Sequence, residues 1–236
     1  MPDTERSFAD RLQRGRNLHA ALSGFAPAFN PPDVDLKPIP FETFLNGLDG
    51  LNSGVATALA QWQDEVVKRQ ALVTNIKARA LRASSRVKSN SAWKAKLPQV
   101  KKAADNLRGY RTSKPVAPAA GSPAPKVSEQ GDQSFGDIKV LLDKLIAALG
   151  MVPGYDTGSP ADISIAGLQA LSTQLDGLNK LVAGKEQALA SFRSPRKASY
   201  DGDTGLSAKM KAIKEATKSQ YGSMSNQFLQ VKAIRV

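Results

Sequence analysis

The sequence predicts an all-α protein, built as two tandem, divergent copies of a small three- to four-helix bundle. Short segments of the first half recur in the second half at one constant spacing, and apolar residues in each half recur every three or four positions. A proline- and alanine-rich stretch separates the halves. We therefore expect copy one at residues 1–111, a flexible linker at 112–133 and copy two at 134–236.

The duplication depends on three pairs of segments that share an offset of 127 residues. The pairs are 7–10 with 134–137, 18–22 with 145–149, and 48–52 with 175–179. Chance matches would not keep one register over so long a stretch. Nearer the ends of the copies the offset becomes 130 and then 131, which small differences in loop length explain.

The first helix of each copy is predicted from a capping signal and an apolar face. Ser7 followed by Asp10, and Ser134 followed by Asp137, match an N-cap hydroxyl with an acid in the first turn. The apolar face in copy one comprises Phe8, Leu12, Gly15, Leu18 and Leu22. Proline-containing segments at 30–33 and 153–160 end these helices, because proline cannot continue a helix.

A second, longer helix follows in each copy, with apolar residues at helical spacing over 41–66 and 168–182. In copy two we expect it to end near residues 194–195, before a turn at 199–205 and a third helix. Copy one lacks these breaks, so its second and third helices can form one continuous helix. A short fourth helix closes each copy, and Gly222 is placed to end the third helix of copy two.

Composition excludes several classes of function. The chain has no cysteine and a single histidine, His19, so it offers no disulfide, no thiolate zinc site and no imidazole metal cluster. We identify no catalytic residue, no metal ligand set and no cofactor-binding residue. The N-terminal residues are not typical of a signal peptide, and the most apolar stretch, 140–152, is too short to span a bilayer. We therefore expect a cytoplasmic protein without membrane insertion.

The net charge of +12 favours an acidic partner, and most of the excess lies in copy one. Residues 66–114 hold 14 lysines and arginines against one acid. Phosphate-backbone binding is one interpretation, with Trp93 and Tyr110 able to stack on bases, and a solvated helix face is the other. The candidate polyanion-binding residues are Arg79, Arg82, Arg86, Lys88, Lys94, Lys96, Lys101, Lys102, Lys211, Lys214 and Lys218.

Four glycines inside the predicted second helices are candidates for close helix packing: Gly47, Gly50, Gly54 and Gly177. Each costs about 1 kcal/mol relative to alanine within a helix, so a packing or ligand-binding role would explain it. Residues 200–205 are similar to the start of a calcium loop. Leu206 and Ala212 occupy the positions where such a loop needs glycine and glutamate, so we expect a turn.

Three segments resemble a group of uncharacterised bacterial helical-repeat proteins. They are residues 7–16 (SFADRLQRGR), 218–222 (KSQYG) and 230–234 (QVKAI). The resemblance covers most of both copies and implies a bacterial origin and a helical fold. It implies no activity, and no site residue carries over from it.

The pattern as a whole predicts a non-enzymatic structural or interaction protein, a scaffold with a protein partner or with the capacity to self-assemble. Duplication joined by a spacer places two related surfaces on one chain and raises avidity without new contacts. The alternative is sequence-independent binding of nucleic acid or another polyanion through the basic helices of copy one.

Overall fold

Seven α-helices form the regular structure of residues 3–109 and 134–236, the parts of the chain that the computed structural model describes, and no strand occurs there. They are α1 Asp3–Ser23, α2 Pro38–Ser89, α3 Leu97–Arg108, α4 Phe135–Gly150, α5 Ile165–Asp201, α6 Leu206–Tyr221 and α7 Asn226–Ala233. Short 3-10 helices cover Val34–Leu36 and Ser91–Trp93. The all-α prediction is therefore confirmed. The expected linker, residues 112–133, lies outside the described residues.

The helix starts differ between the copies. At α4, the Ser134 hydroxyl accepts the Asp137 backbone N–H at 3.1 Å, and the Asp137 carboxylate accepts the Ser134 N–H, which confirms the capping box. The matching prediction for Ser7 is wrong, because α1 already begins at Asp3 and Ser7 lies inside the helix.

The long helices α2 and α5 carry the main departures from the expected boundaries. In copy one, where the sequence left open whether the second and third helices are continuous, α2 is a single helix of 52 residues. The helix end predicted near 194–195 is wrong, because α5 continues through Pro195 to Asp201. Proline removes one helical hydrogen bond, but Leu189, Arg196 and Tyr200 are buried on either side of it and hold the helix in register. Gly222, with φ of 90°, ends α6 as predicted.

The described chain divides into two compact units that do not follow the copy boundaries. Unit 1 contains Met1–Trp62 and Lys185–Val236, and unit 2 contains Gln63–Gly184. The difference arises because α2 and α5 are uninterrupted, so each contributes one part to each unit. Each unit therefore combines helices of copy one with helices of copy two, where the sequence led us to expect one bundle per copy.

The core of unit 1 is formed by α1, the first part of α2, the end of α5, α6 and α7. Leu18 and Phe41 of copy one are buried in the same cluster as Met210, Ile213 and Val231 of copy two. A small satellite cluster joins Val55, Ala58 and Leu189. The apolar faces predicted from spacing are therefore the faces that this unit buries.

The core of unit 2 is formed by the end of α2, α3, α4 and the first part of α5. Ile76 and Val87 of copy one lie in one cluster with Leu142, Leu145 and Leu168 of copy two. The segment between α4 and α5 also contributes, through the buried side chains of Tyr155 and Ile163. This segment, residues 151–164, positions the candidate site described next.

Candidate functional site

Three of the candidate polyanion-binding residues, Arg79, Arg82 and Arg86, contact a peptide segment of this chain. They lie on α2 within unit 2, and all of them reach residues 157–162 of copy two. Arg79 donates to the Asp162 carbonyl at 3.3 Å, Arg82 pairs with the Asp162 carboxylate, and Arg86 donates to the Thr157 carbonyl at 2.9 Å. We call these three residues the arginine clamp. Their charge is directed at carbonyl and carboxylate oxygens of this chain.

Arg86 also lies against two aromatic rings. Its guanidinium carbon is 5.7 Å from the centre of the Trp93 ring and 5.9 Å from that of Tyr155, within the range of cation–π attraction. Trp93 is itself buried and donates its indole N–H to the Pro153 carbonyl at 2.9 Å. The proposal that Trp93 stacks on bases is therefore wrong, because its ring belongs to the core. The second stacking candidate, Tyr110, lies outside the described residues.

Tyr155 anchors the segment that the arginine clamp holds. Its side chain is 1% exposed, and its hydroxyl donates to the Ile163 carbonyl at 2.8 Å. Burial raises the pKa of Tyr155 to about 12, because the phenolate would lose its hydration. Asp156 adds a further anchor, since its carboxylate accepts the backbone N–H of Ile165 at the start of α5. The segment is thus fixed from within and from α2.

The lysines that follow the clamp remain available to solvent. Lys88, Lys94, Lys101 and Lys102 are exposed, and their ammonium groups have no hydrogen-bond or ion-pair partner among the described residues, while Lys96 is half-buried. Between α2 and α3, the chain that carries Lys94 and Lys96 follows the 3-10 helix Ser91–Trp93, which Asn90 caps. We call Lys88, Lys94, Lys101 and Lys102 the lysine set.

The basic stripe predicted in copy two is only partly available. Lys211 and Lys218 are exposed on α6. Lys214 is half-buried and donates to the carbonyls of Lys232 and Ile234, at the end of α7. Burial lowers the pKa of Lys214, since the ammonium group loses part of its hydration. This lysine caps a helix end and is not free to bind a polyanion.

One of the four candidate glycines, Gly54, lies close to a side chain of another helix, that of Phe192 in α5. A Cβ built at Gly47, Gly50 or Gly177 would meet no described atom within 4 Å, so helix packing does not explain these glycines. A Cβ at Gly54 would lie 2.8 Å from the Phe192 ring. A second close approach, which was not predicted, occurs at Gly15, where a Cβ would lie 2.7 Å from Leu45 Cδ2. The position of Gly15 on the apolar face of α1 is the sequence feature that could have indicated this contact.

Two reciprocal cation–π contacts were also not predicted from the sequence. The Arg69 guanidinium carbon lies 3.6 Å from the centre of the Phe135 ring in unit 2, and that of Arg196 lies 4.3 Å from the centre of the Phe8 ring in unit 1. Phe8 and Phe135 are 127 positions apart, and so are Arg69 and Arg196. In each unit, therefore, the phenylalanine of one copy is covered by the equivalent arginine of the other copy.

A further arginine, Arg11 of α1, organises the turn between α5 and α6 in unit 1. It donates to the Tyr200 carbonyl at 3.0 Å, to the Asp201 carboxylate at 2.7 Å and to the Ser207 hydroxyl at 2.9 Å. The Tyr200 hydroxyl in turn accepts the side-chain amide of Asn52 at 2.8 Å. Asp201, which lies in the segment similar to the start of a calcium loop, is thus paired with an arginine.

No grouping of acidic or histidine side chains that could hold a metal ion occurs among residues 3–109 and 134–236. His19 lies half-buried on α1, 3.9 Å from the Glu42 carboxylate. Within the same ranges, no helix is both long and apolar enough to cross a membrane. Comparisons with protein families, with curated proteins and with solved structures find no match to this chain.

Proposed function

We propose that the protein is a non-enzymatic interaction protein, a scaffold made of duplicated helical segments. The reciprocal contacts of Arg69 with Phe135 and of Arg196 with Phe8 carry this proposal. In both, a cation of one copy recognises an aromatic ring of the other copy. The arginines of these two pairs thus contact aromatic side chains on helices of the other copy.

The arginine clamp supports the same function. An arginine fork directed at carbonyl oxygens is a means of recognising polypeptide, and here it fixes the segment 151–164 in unit 2. Equivalent recognition occurs in unit 1, where Gln220 and Gln227 donate to the carbonyls of Ala28 and Ala26. The segment between the first two helices of each copy is therefore held by later helices of the other copy.

Light scattering by the intact chain across a wide concentration range tests this function. We expect the mass to rise above that of one chain as the concentration increases, because the same recognition can operate between chains. A strictly monomeric protein at the highest concentrations would contradict self-assembly.

The second candidate function is polyanion binding, and the lysine set favours it. These lysines lie on a stretch of 15 residues, 88–102, that contains no acid. Exposed lysines without internal partners can neutralise phosphates and release counterions without reading bases.

Binding of mixed-sequence duplex DNA at several salt concentrations tests this second function. Changing all four lysines of the set to glutamine should flatten the salt dependence by about one unit per lost phosphate contact. The matched control changes four exposed lysines of unit 1 to glutamine: Lys197, Lys211, Lys218 and Lys232. If both variants lose affinity equally, binding is a property of net charge and the lysine set is not a site.

A further inference from the structure

Both hydrophobic cores are assembled across the boundary between the copies. In unit 1, Leu18 and Phe41 of copy one are buried with Ile213 and Val231 of copy two. In unit 2, Ile76 of copy one is buried in the same cluster as residues of α4 and α5. A single copy would therefore leave the apolar faces of its helices without their partner.

The polar contacts follow the same pattern. Arg11, Asn52 and the three clamp arginines of copy one all bind atoms of copy two. Trp93 does so as well, through the Pro153 carbonyl. Both partners of each of these contacts lie within residues 3–109 or 134–236. The same contacts are therefore available to copies that belong to different chains.

From these observations we infer that the protein self-assembles by exchange, with copy one of one chain pairing with copy two of a second chain. The inference deepens the proposed scaffold function and identifies its partner as a second molecule of this chain. Mutual exchange between two chains closes into a dimer, whereas exchange in series gives an open filament. In either assembly, each pair of copies reproduces both units.

The experiment uses the full chain with a protease site introduced within residues 112–133. The protein is refolded at high concentration, the dimer is isolated by gel filtration, and its mass is measured before and after cleavage. In an exchanged dimer only the linkers join the two pairs of copies. Cleavage should therefore halve the mass, to that of one chain, while helix content stays unchanged. A chain with a scrambled protease site is the control.

Three results would overturn the inference, and each has a different consequence for the proposed scaffold function. A dimer that keeps its mass after cleavage is held by surface contacts, so exchange is wrong and the scaffold stands. Absence of any species above one chain overturns exchange together with self-assembly. Cleaved material that separates into two folded half-chains shows that each copy folds alone, which contradicts the pairing itself.

A variant of the same cleavable chain tests the reciprocal contacts. Changing Arg69 and Arg196 to alanine should weaken the association of the cleaved halves by roughly tenfold, because two cation–π contacts between the copies are lost. Arg193 and Lys197 are exposed residues near Arg196 on α5. Changing those two to alanine should leave the association unchanged, and an equal loss in both variants would overturn the assigned role of the reciprocal pairs.

Discussion

Replacement of Arg86 by glutamine should destabilise unit 2, because this arginine contacts the segment 151–164 and two aromatic rings of the unit. The charged hydrogen bond to the Thr157 carbonyl, at 2.9 Å, contributes about 1.5 to 3 kcal/mol. The contacts with the rings of Trp93 and Tyr155 add about 0.5 to 1 kcal/mol each. We expect the free energy of unfolding to fall by about 2 to 4 kcal/mol, since contributions within one cluster do not add fully.

Two further variants provide stability losses with which that of Arg86→Gln can be compared. Arg82→Gln removes an ion pair whose partners are 54% and 34% exposed, so we expect a loss of no more than about 1 kcal/mol. Lys88→Gln removes a lysine that is exposed and has no partner among the described residues, and it should change stability by less than about 0.5 kcal/mol. The expected order of destabilisation is therefore Arg86, Arg82, Lys88.

Urea unfolding followed by tryptophan fluorescence measures these differences. The chain has two tryptophans, so a Trp62→Phe background leaves Trp93, which is buried in unit 2, as the reporter. Linear extrapolation of each transition gives the free energy of unfolding in water. If Arg86→Gln proves as neutral as Lys88→Gln, the clamp does not stabilise the segment 151–164, and the arginine face is again a candidate for phosphates.

Three further predictions concern single sites. The folded-state pKa of Tyr155, about 12, exceeds the ordinary value of 10.0, so its contribution is complete below pH 10 and is lost between pH 10 and 12. Between pH 10 and 12 the free energy of unfolding, measured at equilibrium, should fall by about 2 to 3 kcal/mol less in Tyr155→Phe than in the unmodified chain. Gly50→Ala should raise the free energy of unfolding by about 0.5 to 1 kcal/mol in thermal or urea unfolding. Gly54→Ala should show no such gain, because its new methyl group would clash with the Phe192 ring. Ser134→Ala should cost about 1 kcal/mol by the same measurement, while Ser7→Ala, inside α1, should have little effect; equal costs at the two serines would contradict the capping assignment.

The apolar faces could be predicted from the sequence because periodicity is a local property of each helix. In the third helix of copy two, α6, Met210, Ile213 and Thr217 recur at helical spacing and are buried, and the Thr217 hydroxyl donates to the Ile213 carbonyl. The helix end at Gly222 was predicted for the same reason, since helix caps depend on nearby residues.

The partners of those faces could not be predicted, because pairing between distant helices leaves no local signal. A stripe of arginines is the same in sequence whether its acceptor is a phosphate or a carbonyl at Thr157. Pro195 predicts a helix end, yet burial of Arg196 and Tyr200 outweighs the lost hydrogen bond. The offset shared by Arg69 and Arg196 was visible, but only their contacts with Phe135 and Phe8 give it meaning.

The division of the chain into units has a consequence for synthesis on the ribosome. Unit 2 is one continuous stretch, 63–184, and can close as soon as it has emerged, whereas α1 must wait for residues 185–236. At about 5 to 20 residues per second that delay lasts roughly 3 to 10 s. During this interval Leu12, Leu18 and Leu22 of α1 lack the later helices that cover them. Until those helices have emerged, α1 has only the first part of α2 in its core cluster to pack against.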